Sequence, residues 1–127
     1  MFIISTSKDK TINWPVKVEV AADGGKISKF EFTGTFKLLD DDDREALFPE
    51  ADSADEEAST AFVKEQTVDN ILKIMVDWKQ VVDESKTPIE FNRDNLLAAA
   101  RSVNGLAILR AINNAIGEIR VGARAKN

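Results

Sequence analysis

The chain has 127 residues, 43% of them apolar, and a formal net charge of −5, which predicts a single acidic domain, residues 1–127, with one modest core. It contains no histidine, cysteine or tyrosine, so Ser-His-Asp and Cys-His catalytic groups, disulfides and thiolate metal sites are excluded. No apolar run approaches the roughly 18 residues of a membrane span, and residues 1–5 are too short for the core of a signal peptide.

No glycine pattern matches a phosphate-binding or dinucleotide loop. Carboxylates and lysines remain for chemistry, and an enzyme that relies on them would need strongly perturbed pKa values. We therefore expect a protein that binds other proteins, with no catalytic, cofactor-binding or metal-binding residues and an unknown protein-binding surface. An unusual carboxylate or lysine enzyme is the catalytic alternative.

Residues 1–39 are rich in strand patterns. Apolar residues alternate with charged ones in the first segment, at Val16, Val18 and Val20, as in a strand with one buried face. The sequence Asp23-Gly24-Gly25 predicts a hairpin turn. On the return strand one face carries three aromatic residues, Phe30, Phe32 and Phe36.

Three irregularities are expected in this region. Gly34 interrupts the aromatic face and predicts a bulge or a close backbone approach. Ile27 is out of phase with Phe30, which predicts a bulge near Ser28. Residues 2–4 are apolar and form a candidate third strand.

Residues 40–59 form an acidic connector. Residues 40–57 contain ten carboxylates and carry a charge of about −9. A calcium-binding loop counted from Asp40 would need glycine at position six and glutamate at position twelve, where this chain has Glu45 and Ala51. We expect a short helix over residues 40–48 and a mobile segment over residues 50–58. A docking surface for a basic partner is the alternative.

Residues 60–121 are predicted to be helical. A helix over about residues 60–80 has an apolar arc at 100° per residue, made of Val68, Ile71, Leu72, Ile74, Met75 and Trp78. Residues 79–91 read as a loop with a small hairpin. Asn92 is a good N-cap for a helix over residues 93–101, and residues 102–105 break that helix.

The final helix has a second apolar arc, made of Ile108, Leu109, Ile112, Ile116 and Ile119. Leu106 and Val121 lie outside it, and residues 122–127 are expected to be a frayed tail. The predicted fold is therefore α+β, with an N-terminal antiparallel β-hairpin packed against a C-terminal bundle of three to four helices.

Two stretches resemble a known family. The first runs Trp14-Pro15-Val16-Lys17-Val18-Glu19-Val20, Asp23-Gly24-Gly25-Lys26 and Phe30-Glu31-Phe32-Thr33-Gly34-Thr35-Phe36. The second runs Ile71-Leu72-Lys73-Ile74-Met75-Val76-Asp77-Trp78-Lys79-Gln80-Val81-Val82-Asp83-Glu84, with Pro88, Phe91 and Asn92-Arg93-Asp94-Asn95-Leu96-Leu97 after it. Together they resemble the small tail assembly chaperones of long-tailed bacteriophages and prophages. The chain departs from the family pattern at Asn104-Gly105, where proline-glycine is expected, and after Ile116, where an aromatic residue is common.

The resemblance implies a role in virion morphogenesis. A chaperone of this family binds the tape-measure protein in the bacterial host cytoplasm, keeps it soluble until tail-tube subunits replace it, and is absent from the mature virion. A longer form made by ribosomal frameshift would recruit the tail tube protein. No cofactor, nucleic acid or membrane is implied. A repetitive client also favours weak self-association, so we expect a weak homo-oligomer.

Two alternatives stay open at this point. The chain could be an acidic regulator of phage origin that binds proteins by imitating nucleic acid. Trp78 could close the core with its indole N–H on a partner at the edge, as we predict, or it could be an exposed anchor for the client.

Overall fold

The computed structural model describes residues 2, 10–47 and 60–122. Its elements are β1 (Thr11–Ala22), β2 (Lys26–Lys37), α1 (Asp41–Leu47), α2 (Thr60–Leu72), β3 (Met75–Lys79), α3 (Arg93–Arg101) and α4 (Gly105–Arg120). The three strands form one antiparallel sheet in the order β1-β2-β3. The α+β class with an N-terminal hairpin and four following helices is therefore confirmed.

The β1–β2 hairpin turns where glycine permits it. Residues 23–25 form a single 3₁₀ turn in which Gly24 and Gly25 have φ of 77° and 76°, a region that favours glycine. The register then runs without a shift from Ala22↔Lys26 to Thr11↔Lys37. The predicted bulge near Ser28 is therefore wrong: Ile27 pairs with Ala21 in regular register, on the face of the sheet opposite to the one that carries Phe30.

The long hairpin extends past its third strand. Since β3 pairs with β2 only between Thr33 and Phe36, we distinguish a proximal half, residues 11–15 and 33–37, from a distal half, residues 16–22 and 26–32. Gln80, with φ of 69°, directs the chain away from the sheet where β3 ends. The distal half is consequently a two-stranded ribbon.

The predicted helix over residues 60–80 is wrong beyond residue 72. Two i→i+3 hydrogen bonds tighten the last turn of α2, from Lys73 N–H to the Asn70 carbonyl and from Ile74 N–H to the Ile71 carbonyl. The chain then enters β3, where Val76 is the extra residue of a β-bulge opposite the Thr35–Phe36 step. Residues Met75–Lys79 therefore form the third strand of the sheet. The candidate strand at residues 2–4 lies outside the described residues except for Phe2, which is in no strand.

The remaining helices begin and end close to the predicted residues. Asp40 caps α1, its carboxylate accepting the Asp43 N–H at 2.8 Å, and Asn92 caps α3 by accepting the Asn95 N–H at 2.8 Å. A small bridge between Val82 and Pro88 confirms the hairpin in the loop after β3. The predicted mobile segment, residues 50–58, lies outside the described residues, as does the tail after Gly122.

The core lies between the sheet and the helices. Cross-strand partners share a face, so the inner face carries Trp14, Gly34 and Trp78 in one row across the three strands. Gly34 is needed there, because a Cβ atom would lie 2.7 Å from the Phe36 ring and 3.1 Å from the Met75 methyl group. The close approach predicted at Gly34 is therefore observed, made by side chains and not by another backbone, and a β-bulge lies one step further along, opposite Thr35–Phe36. The fully buried large side chains are Val16, Phe36, Val68, Ile71, Met75, Leu96 and Ile112.

Candidate protein-binding surface

An apolar cleft opens on the inner face of the distal half. Its volume is about 350 Å³, at the lower end of the roughly 300–1,000 Å³ range of ligand pockets. The hairpin forms one side, and the chain after β3 and the α3–α4 turn form the other. The lining residues are Val18, Val20, Phe30, Glu31, Phe32, Trp78, Gln80, Val81, Val82, Ala99, Asn104 and Ile108.

The cleft exists because the sheet is longer than its cover. Strands of 12 residues span about 40 Å at 3.3 Å per residue. Helix α4 packs mainly on β1, where it buries Val16 and Val18, and not on the distal part of β2. Phe30, on the same face as the buried Phe36, is therefore 60% exposed.

The floor of the cleft is a buried, hydrogen-bonded tryptophan. Trp78 is only 6% exposed, its indole N–H donates to the Ile89 carbonyl at 2.7 Å, and its ring makes edge-to-face contacts with Phe32 and Phe91. The predicted buried tryptophan with a bonded indole is confirmed, although the residue lies on a strand and not on a helix. The alternative of an exposed anchor at Trp78 is wrong.

The mouth of the cleft carries exposed apolar side chains. Phe30 and Val82 line it, and both are exposed. Polar atoms come from Gln80 and Asn104, and Glu31 is the one charged residue among the lining residues. Apolar side chains that cluster round a cleft with a polar rim are typical of interaction sites, whereas single exposed apolar residues are ordinary.

A second groove meets the cleft at Val20 and Asn104. It has a volume of about 710 Å³ and lies between residues 17–21 of β1 and α4. Val103 and Leu106 line it and are exposed, while Arg110 and Glu118 add charge. The sequence pattern put Leu106 and Val121 outside the apolar arc of the last helix. Both are exposed, as expected for residues outside that arc.

Within residues 2, 10–47 and 60–122, no group of three histidines, cysteines or carboxylates could hold a metal ion. Among the described residues, the surface pair Asp69 and Arg93 has shifted pKa values: their 2.8 Å hydrogen bond lowers the pKa of the carboxyl and raises that of the guanidinium. This pair joins α2 to α3, away from the residues that line the cleft.

Sequence reasoning missed the cleft. The alternation in β2 identified the face that carries Phe30 and Phe32, but it did not indicate how far the helices would cover that face. The exposed Val82 lies in the segment read as a loop, and its position beside Phe30 depends on the turn at Gln80. A long hairpin next to a short following strand is the signal that could have found the site.

Comparisons with known protein families, with characterised proteins and with solved structures give no match to this chain. Among the described helices, none has the length and apolar character needed to cross a membrane.

Proposed function

We propose that the chain is a non-enzymatic tail assembly chaperone of a bacteriophage or prophage that binds the tape-measure protein through the apolar cleft. The observation that carries the binding role is the exposed Phe30, held on a regular strand at the mouth of an apolar cleft. The choice of client rests on the resemblance of the strand and tryptophan motifs to this chaperone family.

The cleft suits a helical client with an apolar stripe. A groove of this kind accepts side chains at positions i, i+3 or i+4, and i+7 of an amphipathic helix. Trp78 is already packed between Phe32 and Phe91 and hydrogen-bonded to the Ile89 carbonyl, so we expect little rearrangement of the floor on binding, which lowers the free-energy cost of association. Gln80 and Asn104 at the rim can hydrogen-bond polar groups of the client.

The net charge of −5 supports the same role. A complex between an acidic chaperone and an apolar client keeps a net charge, which opposes aggregation in the host cytoplasm. The alternative role, an acidic regulator that imitates nucleic acid, stays a prediction. Its surface would be the acidic connector, of which the structure describes only residues 40–47, and there Asp40 serves as the cap of α1.

The test is co-expression of the tagged chain with its tape-measure protein, followed by co-purification. We expect the wild-type chain to keep the tape-measure protein soluble and to co-purify with it. Phe30→Ser should reduce the recovered client about tenfold or more, because it removes the exposed anchor of the cleft.

Ile27→Ser is the matched control. Ile27 is 63% exposed, lies on the same strand as Phe30, and faces the opposite side of the sheet. Its substitution should leave recovery unchanged. The cleft assignment is contradicted if Phe30→Ser and Ile27→Ser behave alike, and the chaperone role itself is contradicted if the wild-type chain recovers no tape-measure protein.

A further inference from the structure

The backbone groups on the outer edge of β1, with which no described strand pairs, follow a defined order. Leu38 N–H donates to the Lys10 carbonyl at 2.9 Å, one step beyond the Thr11↔Lys37 pair. Residues that exchange hydrogen bonds with a neighbouring strand alternate with residues that do not. The register has no shift along the hairpin. The even-numbered residues of β1 therefore direct their backbone N–H and C=O groups to β2, and the odd-numbered residues direct theirs to the outer edge.

Pro15 agrees with this order. It is odd-numbered, so its missing N–H would have pointed to the outer edge and no hydrogen bond to β2 is lost. Proline at such a position blunts an edge strand against pairing. Beyond Pro15, however, Lys17, Glu19 and Ala21 keep their outward N–H groups. Among the described residues no strand pairs with this edge, and the 710 Å³ groove lies beside it.

We propose that this edge pairs antiparallel with the same edge of a second copy of the chain, about a two-fold axis at Val18. In that register Lys17 of each copy lies directly opposite Glu19 of the other. The 17–19 pairs supply four backbone hydrogen bonds, and Ala21 N–H of each copy reaches the Pro15 carbonyl of the other. The result is a six-stranded sheet with one self-complementary interface.

The charges of Lys17 and Glu19 favour this register over the registers with a two-fold axis at Lys17 or at Glu19. A two-fold axis at Lys17 would place two lysines opposite each other, and an axis at Glu19 would place two glutamates opposite each other, both of which are unfavourable. The axis at Val18 instead continues the pairs already present in the hairpin, Lys17↔Glu31 and Glu19↔Lys29. The two rows that contain residues 17 and 19 then alternate in charge across four strands, β2 and β1 of each copy. On the inner face, Val16 of one copy meets Val20 of the other.

The test uses complementary charge variants. Lys17→Glu leaves only glutamates at positions 17 and 19, and Glu19→Lys leaves only lysines. Each variant alone should raise the dimer dissociation constant at least tenfold, as measured by sedimentation equilibrium. An equimolar mixture should form a heterodimer close to wild-type affinity, because each glutamate then meets a lysine. One variant carries an affinity tag, so that heterodimers can be recovered.

Two variants on β2 serve as matched controls. Each substitution on β1 also places like charges opposite each other within the hairpin, and Glu31→Lys and Lys29→Glu do the same without changing the outer edge. These controls should keep wild-type self-association, and circular dichroism should show all four variants folded.

The proposal does not depend on the identity of the client. It is overturned if the wild-type chain is monomeric at every concentration, or if the β1 variants associate as the wild type does. It is also overturned if the mixture fails to restore association. A loss of tape-measure binding by the β1 variants, with self-association unchanged, would assign the edge to an extended client segment instead.

Discussion

The proximal and distal halves of the hairpin have the same sequence pattern and different environments. Phe36 in the proximal half is fully buried, while Phe30, six residues away on the same face, is 60% exposed. The proximal half is flanked by β3 and covered by the helices. In the distal half α4 packs on β1 and buries Val16 and Val18, but no described third strand flanks β2 and its Phe30 is exposed. An alternating strand pattern therefore specifies which face is apolar, but the positions of neighbouring elements decide which parts of that face are buried and which are exposed.

The largest contrast is expected between Phe36→Ala and Phe30→Ala. Removal of the buried ring should lower the free energy of unfolding by about 3–5 kcal/mol. Removal of the exposed ring should lower it by about 0.5 kcal/mol. Urea unfolding of the two variants measures both values, and similar losses would show that the two halves do not differ as described.

Trp78 lies at the boundary between the halves, since it pairs with Gly34 and forms the floor of the cleft. Trp78→Ala should cost about 3–5 kcal/mol, because it removes a large buried side chain. Trp78→Phe keeps an aromatic ring but leaves the Ile89 carbonyl without the indole N–H, at a cost of about 1–3 kcal/mol. A melting temperature that does not change in Trp78→Ala would contradict the structural role.

Gly105 positions the α3–α4 turn and therefore the cover of the distal half. A Cβ atom there would overlap the carbonyl oxygen of Ala100, which is backbone and cannot move away cheaply. We expect Gly105→Ala to cost up to about 3 kcal/mol. Gly117 lies in the same helix with no atom within 4 Å of the Cβ position, so Gly117→Ala should stabilise the protein by about 0.5–1 kcal/mol. Thermal unfolding should thus show opposite signs for the two substitutions.

The smallest effect is expected at the Asp69–Arg93 ion pair between α2 and α3. The hydrogen bond from Arg93 holds the pKa of the Asp69 carboxyl below its usual 3.8. A carboxyl whose pKa is lower in the folded state stabilises the fold above its unfolded pKa, and that contribution is lost as pH falls through the folded value. Asp69→Asn should lower the melting temperature slightly at pH 7, and the difference should shrink as the pH falls below 3.8. A constant difference across this range would contradict the assignment, and client recovery should not change.

Most elements of the fold could be predicted from the sequence because their signals are local. Asp23-Gly24-Gly25 specifies a turn by backbone freedom, and Asn92 specifies a helix start by capping. The segment after Leu72 could not be predicted in this way. Buried Ile71, Ile74, Met75 and Trp78 recur at three- and four-residue spacing, as in a helix. In the structure this spacing has a different origin. The helix ends at Leu72, a turn follows, and the β-bulge at Val76 adds one residue between Met75 and Trp78, so both point to the core. Pairing with β2 determines this arrangement, and that pairing is not local.

The binding surface depended on the same non-local information. The residues of the cleft come from four separate parts of the chain. Of these parts, the sequence pattern pointed to the aromatic face of β2, but it did not predict that the other three would lie beside it. The outer edge of β1 differs from the cleft because its main features, Pro15 and the opposite charges of Lys17 and Glu19, can be read in the sequence. Their meaning requires the register of the hairpin, which determines which N–H groups point outward.

The most direct test of the binding surface is the mapping of backbone amide chemical shifts of the isotope-labelled chain during titration with a soluble tape-measure fragment. We predict that the largest changes occur at Phe30, Phe32, Gln80, Val82 and Ile108, with little change in α1 or at Phe36. Changes concentrated in α1 and α2, with the residues of the cleft unaffected, would contradict the account.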